Sequence, residues 1–420
     1  MNILVVGSGG REHAICMAFS RSEHTEKIFC ADGNAGIAQV AECVPIKPNE
    51  VQLLAEFAAA NSIDLTFVGG ETSLALGIAD EFEKRGLRII GPTKAAAKLE
   101  ASKAFSKNFM SRQGIPTATY QNANSAEEAI SILNAGTFGD QAAPVVVKAD
   151  GLAAGKGVVV AANRQEAIDA IGELKSIAGE DAASRIVLEE CLIGKEISLI
   201  MFADGQDFAL MPPTRDHKRI GDGDTGPNTG GMGTVTDSTL LGAEQLTEII
   251  EAVIRPTLKG CEAEGFPFRG ILFLGLMITS DGPKLLEYNV RFGDPETQSI
   301  LVRLGTDLVG ICEAMLDRRL SGIDIEWKRG NSATVVLAAE GYPHNPRKGD
   351  VISGLENVRG VTVFHAGTAR DEAGDIVTAG GRVLGVTAVG ETLDEALATC
   401  YRELSKISFE GMQYRRDIGR

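Results

Sequence analysis

Pro144-Val-Val-Val-Lys148-Ala-Asp150-Gly151-Leu-Ala-Ala-Gly155-Lys156-Gly157-Val158-Val-Val-Ala161 joins two β-branched runs through a turn rich in glycine and lysine. Read as a P-loop, it fails twice. Three residues rather than four separate Gly151 from Gly155, and Gly157 follows Lys156 where a magnesium-binding Ser or Thr is required. A second strand also follows, not a helix. What remains is a β-turn-β flap. Its glycine N–H groups and Lys156 can fold over polyphosphate, with Lys148 at the end of its strand aimed at the same charge. The alternative is an ordinary surface hairpin with solvated lysines.

Upstream of the flap, apolar runs at 3–6, 27–31, 65–69 and 88–91 alternate with helical stretches. That alternation predicts a parallel sheet with right-handed crossovers, a Rossmann-like N-terminal unit. Gly91-Pro92 then punctuates the chain, and a helix rich in Ala and Lys begins at about 93. Gly7-Ser-Gly9-Gly10-Arg11-Glu12-His13 lies where the first strand turns into the first helix, a place that favours an anion. As a dinucleotide fingerprint it is incomplete. Its third small position is Glu12, which would obstruct close packing and repel a pyrophosphate, although Asp32 stands at a suitable ribose distance. A site for a smaller phosphorylated ligand and a purely structural turn both stay open.

Downstream, 116–190 reads as a small α+β unit, and Ile186 to Leu188 ends in Glu189-Glu190-Cys191-Leu192 with Glu196 beyond. Residues 214–233 (Thr214-Arg-Asp216-His217-Lys218-Arg219, then Asp224 to Gly233 with Asn228 inside) look too polar and glycine-dense for a packed element. A helix over 242–264 and a hairpin of 271–279 with 284–291 follow. Residues 333–338, 361–365 and 382–387 read as strands, closed by a helix over 393–406.

The hairpin's second arm runs Glu287-Tyr288-Asn289-Val290-Arg291-Phe292-Gly293-Asp294-Pro295-Glu296. A period of two puts Glu287, Asn289 and Arg291 on one face and Leu286, Tyr288 and Val290 on the apolar other. A carboxylate and an amide oxygen are hard ligands for magnesium beside phosphate oxygens, and an arginine can clamp a carboxylate. A satisfied surface Glu–Arg pair is the bland version of the same pattern.

Composition narrows the function classes. With 41 Lys plus Arg against 57 Asp plus Glu, the net charge of −16 opposes broad attraction to nucleic acid or anionic lipid. The seven cysteines are scattered without a C-x-x-C pair, which argues against zinc and disulfides and for a cytoplasmic protein. No apolar run is long enough for a membrane span. Nucleophile elbows, H-E-x-x-H and Ser-His-Asp order are missing from the sequence. The inventory of lysines, arginines, glycines and one carboxylate–amide pair suits holding metal and polyphosphate while the substrates supply the nucleophiles.

At these residues the sequence resembles the phosphoribosylamine–glycine ligases of the ATP-grasp superfamily, nearly end to end. The resemblance runs through Gly7 to His13, Gly91 to Ala97, Ser102 to Phe105, Lys148 to Gly157, Asp216 to Arg219, Asp224 to Gly233, Arg291 to Thr297, Phe364 to Gly367 and Gly380 to Arg382. It implies a mixed α/β and α+β multidomain fold. The expected divisions are a substrate domain over 1–100, an ATP-grasp domain over 101–327 with a lid at about 116–190, and a β-rich domain over 328–420. ATP would be co-substrate, with Mg²⁺ or Mn²⁺ on Glu287 and Asn289. By the same resemblance Lys103 and Lys148 meet the phosphates under Gly155, Lys156 and Gly157. Glu189 and Leu192 meet adenine, and Glu196 the ribose. Arg291 and Asp216 would take glycine, Lys148 acting with them in catalysis, with Asn228 and Gly293 nearby. Gly9, Gly10, Arg11, Glu12 and His13 would take 5-phosphoribosylamine. A monomer with no nucleic-acid or membrane partner is expected. Two departures stand out: Gly69-Gly70-Glu71 replaces the family's usual Gly-Pro-Glu, loosening the turn before Glu71 and Thr72, and Val290 stands where Cys is common.

Overall fold

The computed structural model describes residues 1–152, 157–178 and 184–420, with the side chains of 175–178 left aside. The N-terminal runs form a parallel sheet in the order Glu42–Val44, Lys27–Asp32, Asn2–Gly7, Leu65–Val68, Ile89–Ile90. Its central strand is apolar throughout because both faces are covered: Leu4 and Val6 enter one core, Ile3 and Val5 another. Glu42–Val44 was not anticipated, since its Glu-Cys-Val sequence is too short to show a period.

Residues downstream of the helix Lys103–Arg112 build a small antiparallel sheet in the order Tyr120–Ala123, Ile186–Glu190, Val145–Ala149, Val158–Ala161. Leu133, Val147, Ile171 and Leu188 give it a core of its own under the helices Ala126–Asn134 and Arg164–Ala178. A separate core lets such a unit tilt as one piece.

The second, larger sheet is antiparallel and continuous. It runs Gly282–Asn289, Arg269–Thr279, Lys195–Asp204, Thr214–Asp216, Gly233–Thr236, Asn331–Ala338, Arg382–Gly390, Thr362–His365. Along Lys195–Asp204, Ile197, Leu199 and Met201 enter one core while Ile200 and Phe202 enter the other. Strand alternation therefore puts Glu196 and Ser198 on the Ile200 side. The sheet passes without a break from Gly233–Thr236 to Asn331–Ala338, so the C-terminal strands extend the central sheet.

Three expectations are corrected. The two ends of the 214–233 segment are packed, Thr214–Asp216 and Gly233–Thr236 being strands of the large sheet, while Arg219–Gly221 pairs with Thr225–Asn228 as a hairpin whose tip is exposed. Its threonines are satisfied by hydrogen bonds, which polarity alone does not disclose. The 284–291 arm carries a bulge, where Gly275 opposes Glu287 and Leu276 opposes Leu285. The period of two therefore breaks: Leu285 and Tyr288 are buried, Leu286 turns out of the core, and Arg291 lies beyond the strand end. The helix over 242–264 is continuous but widens at Ile250–Ile254, because Pro256 lacks the N–H that would close a regular α-turn.

The short helix Glu296–Leu301 sits on a polar seam of the large sheet. Thr234 Oγ1 donates to the Pro295 carbonyl at 3.1 Å and lies 3.1 Å from Ser299 Oγ. Ser332 Oγ donates to the Ser299 carbonyl at 2.5 Å, and Arg303 Nη1 donates to Thr236 Oγ1 at 2.8 Å. These groups are buried, so their hydrogen bonds fix where the helix lies.

Candidate active site

The small sheet and the large one flank a cleft of about 790 Å³, within the range of small-molecule sites. Of the residues singled out from sequence, Arg11, Lys103, Lys148, Gly157, Glu189, Leu192, Glu196, Asp216, Asn228, Glu287, Asn289 and Arg291 line it. Gly9, Gly10, Glu12, His13 and Gly293 lie outside that lining, and Gly155 and Lys156 fall outside the described residues.

On the lid side, Lys148 Nζ lies 2.7 Å from Glu189 Oε1, and Lys107 Nζ lies 2.8 Å from Glu189 Oε2. The Glu189 carboxylate is thus taken up by lysines, which leaves its backbone, not its side chain, to meet a base edge. Lys103 Nζ donates to the Gly151 carbonyl at 3.0 Å, and burial lowers its pKa. Asp150 accepts from Ala104 N at 3.1 Å and Ser102 Oγ at 3.2 Å, tying the flap's root to the start of Lys103–Arg112.

On the sheet side, Glu287 lies across from Gly275, where the missing side chain leaves it room. Burial raises its carboxyl pKa, but Lys218, Lys148, Lys103 and Arg291 outweigh burial and hold it below the usual range. Lys218 pairs with Glu196 and is raised by Glu196 and Glu287 against burial. Asn289 Oδ1 accepts from Arg291 Nη2 at 3.0 Å. Glu287 and Asn289 are hard oxygen donors with a charge balance that suits a divalent cation shared with phosphate oxygens. No cluster of three or more His, Cys, Asp or Glu able to hold a metal occurs among the described residues.

Arg291 is fully committed to protein partners. Its Nη2 meets Glu100 at 2.7 Å and its Nε meets Glu71 at 3.3 Å. Burial pushes the Glu71 carboxyl up, yet Arg291 and Arg11 hold it at about 2. The Glu71 side chain is thus paired with the Arg291 guanidinium from outside the turn that Gly70 loosens.

The glycine loop is built differently from a dinucleotide turn. Glu12 folds beneath it, accepting from Gly9 N at 2.6 Å and from Arg11 Nε at 2.6 Å. Gly7 and Gly69 leave the space it fills; a Cβ on Gly69 would fall 2.1 Å from Glu12 Oε1. Glu12 thus blocks no packing, correcting that expectation. His13 is committed elsewhere: its Nδ1 accepts from His365 N at 2.9 Å, and burial together with His365 lowers its pKa to about 3. It joins the N-terminal unit to the C-terminal strands.

Deeper in, Asp216 accepts from His217 N at 2.8 Å, and its pKa is raised by burial and by Glu296. Glu296 is itself raised by burial, while Ser198 Oγ donates to it at 3.3 Å. Arg382 bridges the Gly230 carbonyl at 2.5 Å and the Asp294 carboxylate at 3.1 Å. Lys107, Lys218, Glu100, Glu296 and Arg382 were all assigned no role from sequence. Lys107, four residues after Lys103 on one helix, was the one whose position a helical period could have revealed.

Comparisons with known proteins identify the family. Residues 1–100, 101–297 and 332–420 match the N, ATP-grasp (A) and C domains of phosphoribosylglycinamide synthetase. The phosphoribosylamine–glycine ligase of Vibrio vulnificus is 48% identical over 427 residues, covering 100% of this chain and 98% of the relative. That of Caldanaerobacter subterraneus subsp. tengcongensis is 45% identical over 420 residues, covering 100% and 99%. The crystal structure of the Thermotoga maritima ligase superposes with a TM-score of 0.84 at 36% identity, covering 100% of both chains. Biotin carboxylase from Campylobacter jejuni, 17% identical with a TM-score of 0.72 over 98% of this chain and 92% of its own, shares the fold alone. With all three domain matches in order and near-half identity over the whole length, this chain belongs to the phosphoribosylamine–glycine ligase family of ATP-grasp enzymes.

Proposed function

We propose that the chain ligates glycine to 5-phospho-D-ribosylamine at the cost of ATP, giving N1-(5-phospho-D-ribosyl)glycinamide, ADP and phosphate in purine biosynthesis. The observation that supports this most is Glu287. It is an acid kept ionised by surrounding cations in a cleft, with no hydrogen bond from a described residue, and Arg291 stands two residues on.

In this reading a glycine carboxylate oxygen attacks the γ-phosphorus, the bond to the β-phosphate oxygen breaks, and ADP leaves. The amine of phosphoribosylamine then attacks the acyl carbon of glycyl phosphate; phosphate departs and the nitrogen gives up a proton. Lys103 and Lys148 neutralise the phosphates, since several negative centres must approach one another. Magnesium or manganese, held by Glu287 and Asn289, would supply the remaining positive charge. Arg291 would release Glu71 or Glu100 to take the glycine carboxylate, and Asp216 would face its ammonium group. Leu192 and the Glu189 backbone would meet adenine, and Glu196 the ribose once Lys218 lets it go. Arg11 would reach the phosphoribosyl group from the first loop.

The chain then divides as 1–100 for phosphoribosylamine, 101–327 for ATP with its lid near 116–190, and 328–420 closing the far side. In this reading the chain works as a monomer in the cytoplasm. The test is phosphate release from ATP with glycine and freshly generated phosphoribosylamine, each omitted in turn. Release that depends on both is expected. Release that another amino acid supports equally well would exclude this assignment.

A further inference from the structure

The Lys107–Glu189–Lys148 group holds more positive charge than its carboxylate needs. Glu189 and Lys107 side chains are each 2% exposed, and Lys148 is 7% exposed. The two lysines are held differently. Lys107 Nζ also donates to Thr117 Oγ1 at 2.7 Å, and that hydroxyl donates to the Leu285 carbonyl at 2.6 Å. Lys107 is therefore anchored on both sides. Lys148 approaches Glu189 Oε1 off the hydrogen-bonding direction, leaving that oxygen without a directed donor. Its other contact, with the Leu286 carbonyl, is long at 3.5 Å.

We propose that Lys107 is a positioning residue, the fixed counter-ion that keeps Glu189 compensated when Lys148 turns from it to the triphosphate. The inference rests on the reading that Lys148 meets phosphate. A buried carboxylate stripped of its partner is strongly unfavourable, so a lone Lys148–Glu189 pair would resist opening. A second, anchored lysine removes that penalty. The crowding of the two cations points the same way. Burial, helped by Lys148 and opposed by Glu189, lowers Lys107 to about 8, and departure of Lys148 to an anion relieves the repulsion.

The test is steady-state kinetics against ATP on Lys107→Met, Lys107→Arg, Lys148→Ala, Lys107→Met/Lys148→Ala and Lys107→Met/Glu189→Gln, with thermal melts on each. Lys107→Met should raise the ATP KM by about tenfold, which is ~1.4 kcal/mol, with a smaller effect on kcat. Adding Lys148→Ala to it should raise KM no further, because Lys148 is already captured by Glu189. Adding Glu189→Gln should bring KM back towards the parent value, and Lys107→Arg should stay near it. A purely structural role would not be relieved by removing the carboxylate's charge. Lys107→Gln carries the same KM prediction should the Met variant not fold. An ATP KM for Lys107→Met within about twofold of the parent, ~0.4 kcal/mol, or no relief from Glu189→Gln, would overturn the inference. An unchanged ATP KM in Lys148→Ala would overturn the phosphate reading and this inference with it.

Discussion

At the scale of single residues, charge excess governs the cleft. Glu287 is surrounded by cations yet accepts no hydrogen bond from a described residue, so its electrostatic environment is the part that chemistry can use. Glu287→Gln keeps the shape and removes the charge. Its ligation rate should fall by at least about a hundredfold, the scale of losing one well-placed electrostatic group. Melting should move by no more than about 4 °C, because no directed bond is lost. Paired phosphate-release and calorimetry measurements check both; a variant retaining a third of the activity would remove Glu287 from the metal site. The sequence showed Glu287, Asn289 and Arg291 as a set because they alternate along one arm. It could not show that Arg291 is already bound by Glu71 and Glu100, since those acids come from helices about two hundred residues away in the chain. Glu12 was misjudged for a related reason. Whether a side chain obstructs depends on what it faces, and the space made by Gly69 is invisible in a local motif.

At the scale of elements, the small helix Glu296–Leu301 is held by polar groups that a hydropathy reading assigns to a loop. Thr214 and Thr234 are fully buried, and Thr234 anchors the Pro295 carbonyl. Thr234→Val leaves that carbonyl unpaired in the interior and should cost about 1–3 kcal/mol in urea unfolding. A change below about 0.5 kcal/mol would mean that the seam does not hold the helix. The strands at 145–149 and 158–161 were legible because β-branched runs bounded by glycine leave few other options. The strands that begin within 214–233 were not, because serine and threonine become good interior residues only once a partner across the sheet satisfies them.

At the scale of the whole molecule, buried neutral histidines tie distant parts together. His13 accepts from His365 N, and His217 Nε2 accepts from Gly419 N at 3.0 Å. Burial lowers His13 to about 3, and His217 and His365 each to about 4. The unfolded chain protonates its histidines near 6.5, so between there and the folded values it binds more protons than the native state. Their contribution is complete above about pH 6.5 and is lost as pH falls towards the folded values, each histidine giving a slope of at most about 1.4 kcal/mol per pH unit. Melting temperature should therefore drop between pH 7.5 and 5, and His13→Gln should show a shallower drop. Parallel pH profiles for parent and variant in scanning calorimetry would contradict the joint.

The linear chain by itself determined the parallel N-terminal sheet and the two strands at 145–149 and 158–161, and motifs spread along its whole length carried the resemblance to the family. The sheet and the strands depend on periods within about ten residues, where backbone geometry leaves few choices. Only the tertiary structure decided which charges face one another: that Glu189 is shared by Lys107 and Lys148, that Arg291 is taken by acids from another unit, and that His13 serves a joint. Coulombic and hydrogen-bond partners are set by distances through space, and burial sets their strength; neither is a function of position along the sequence.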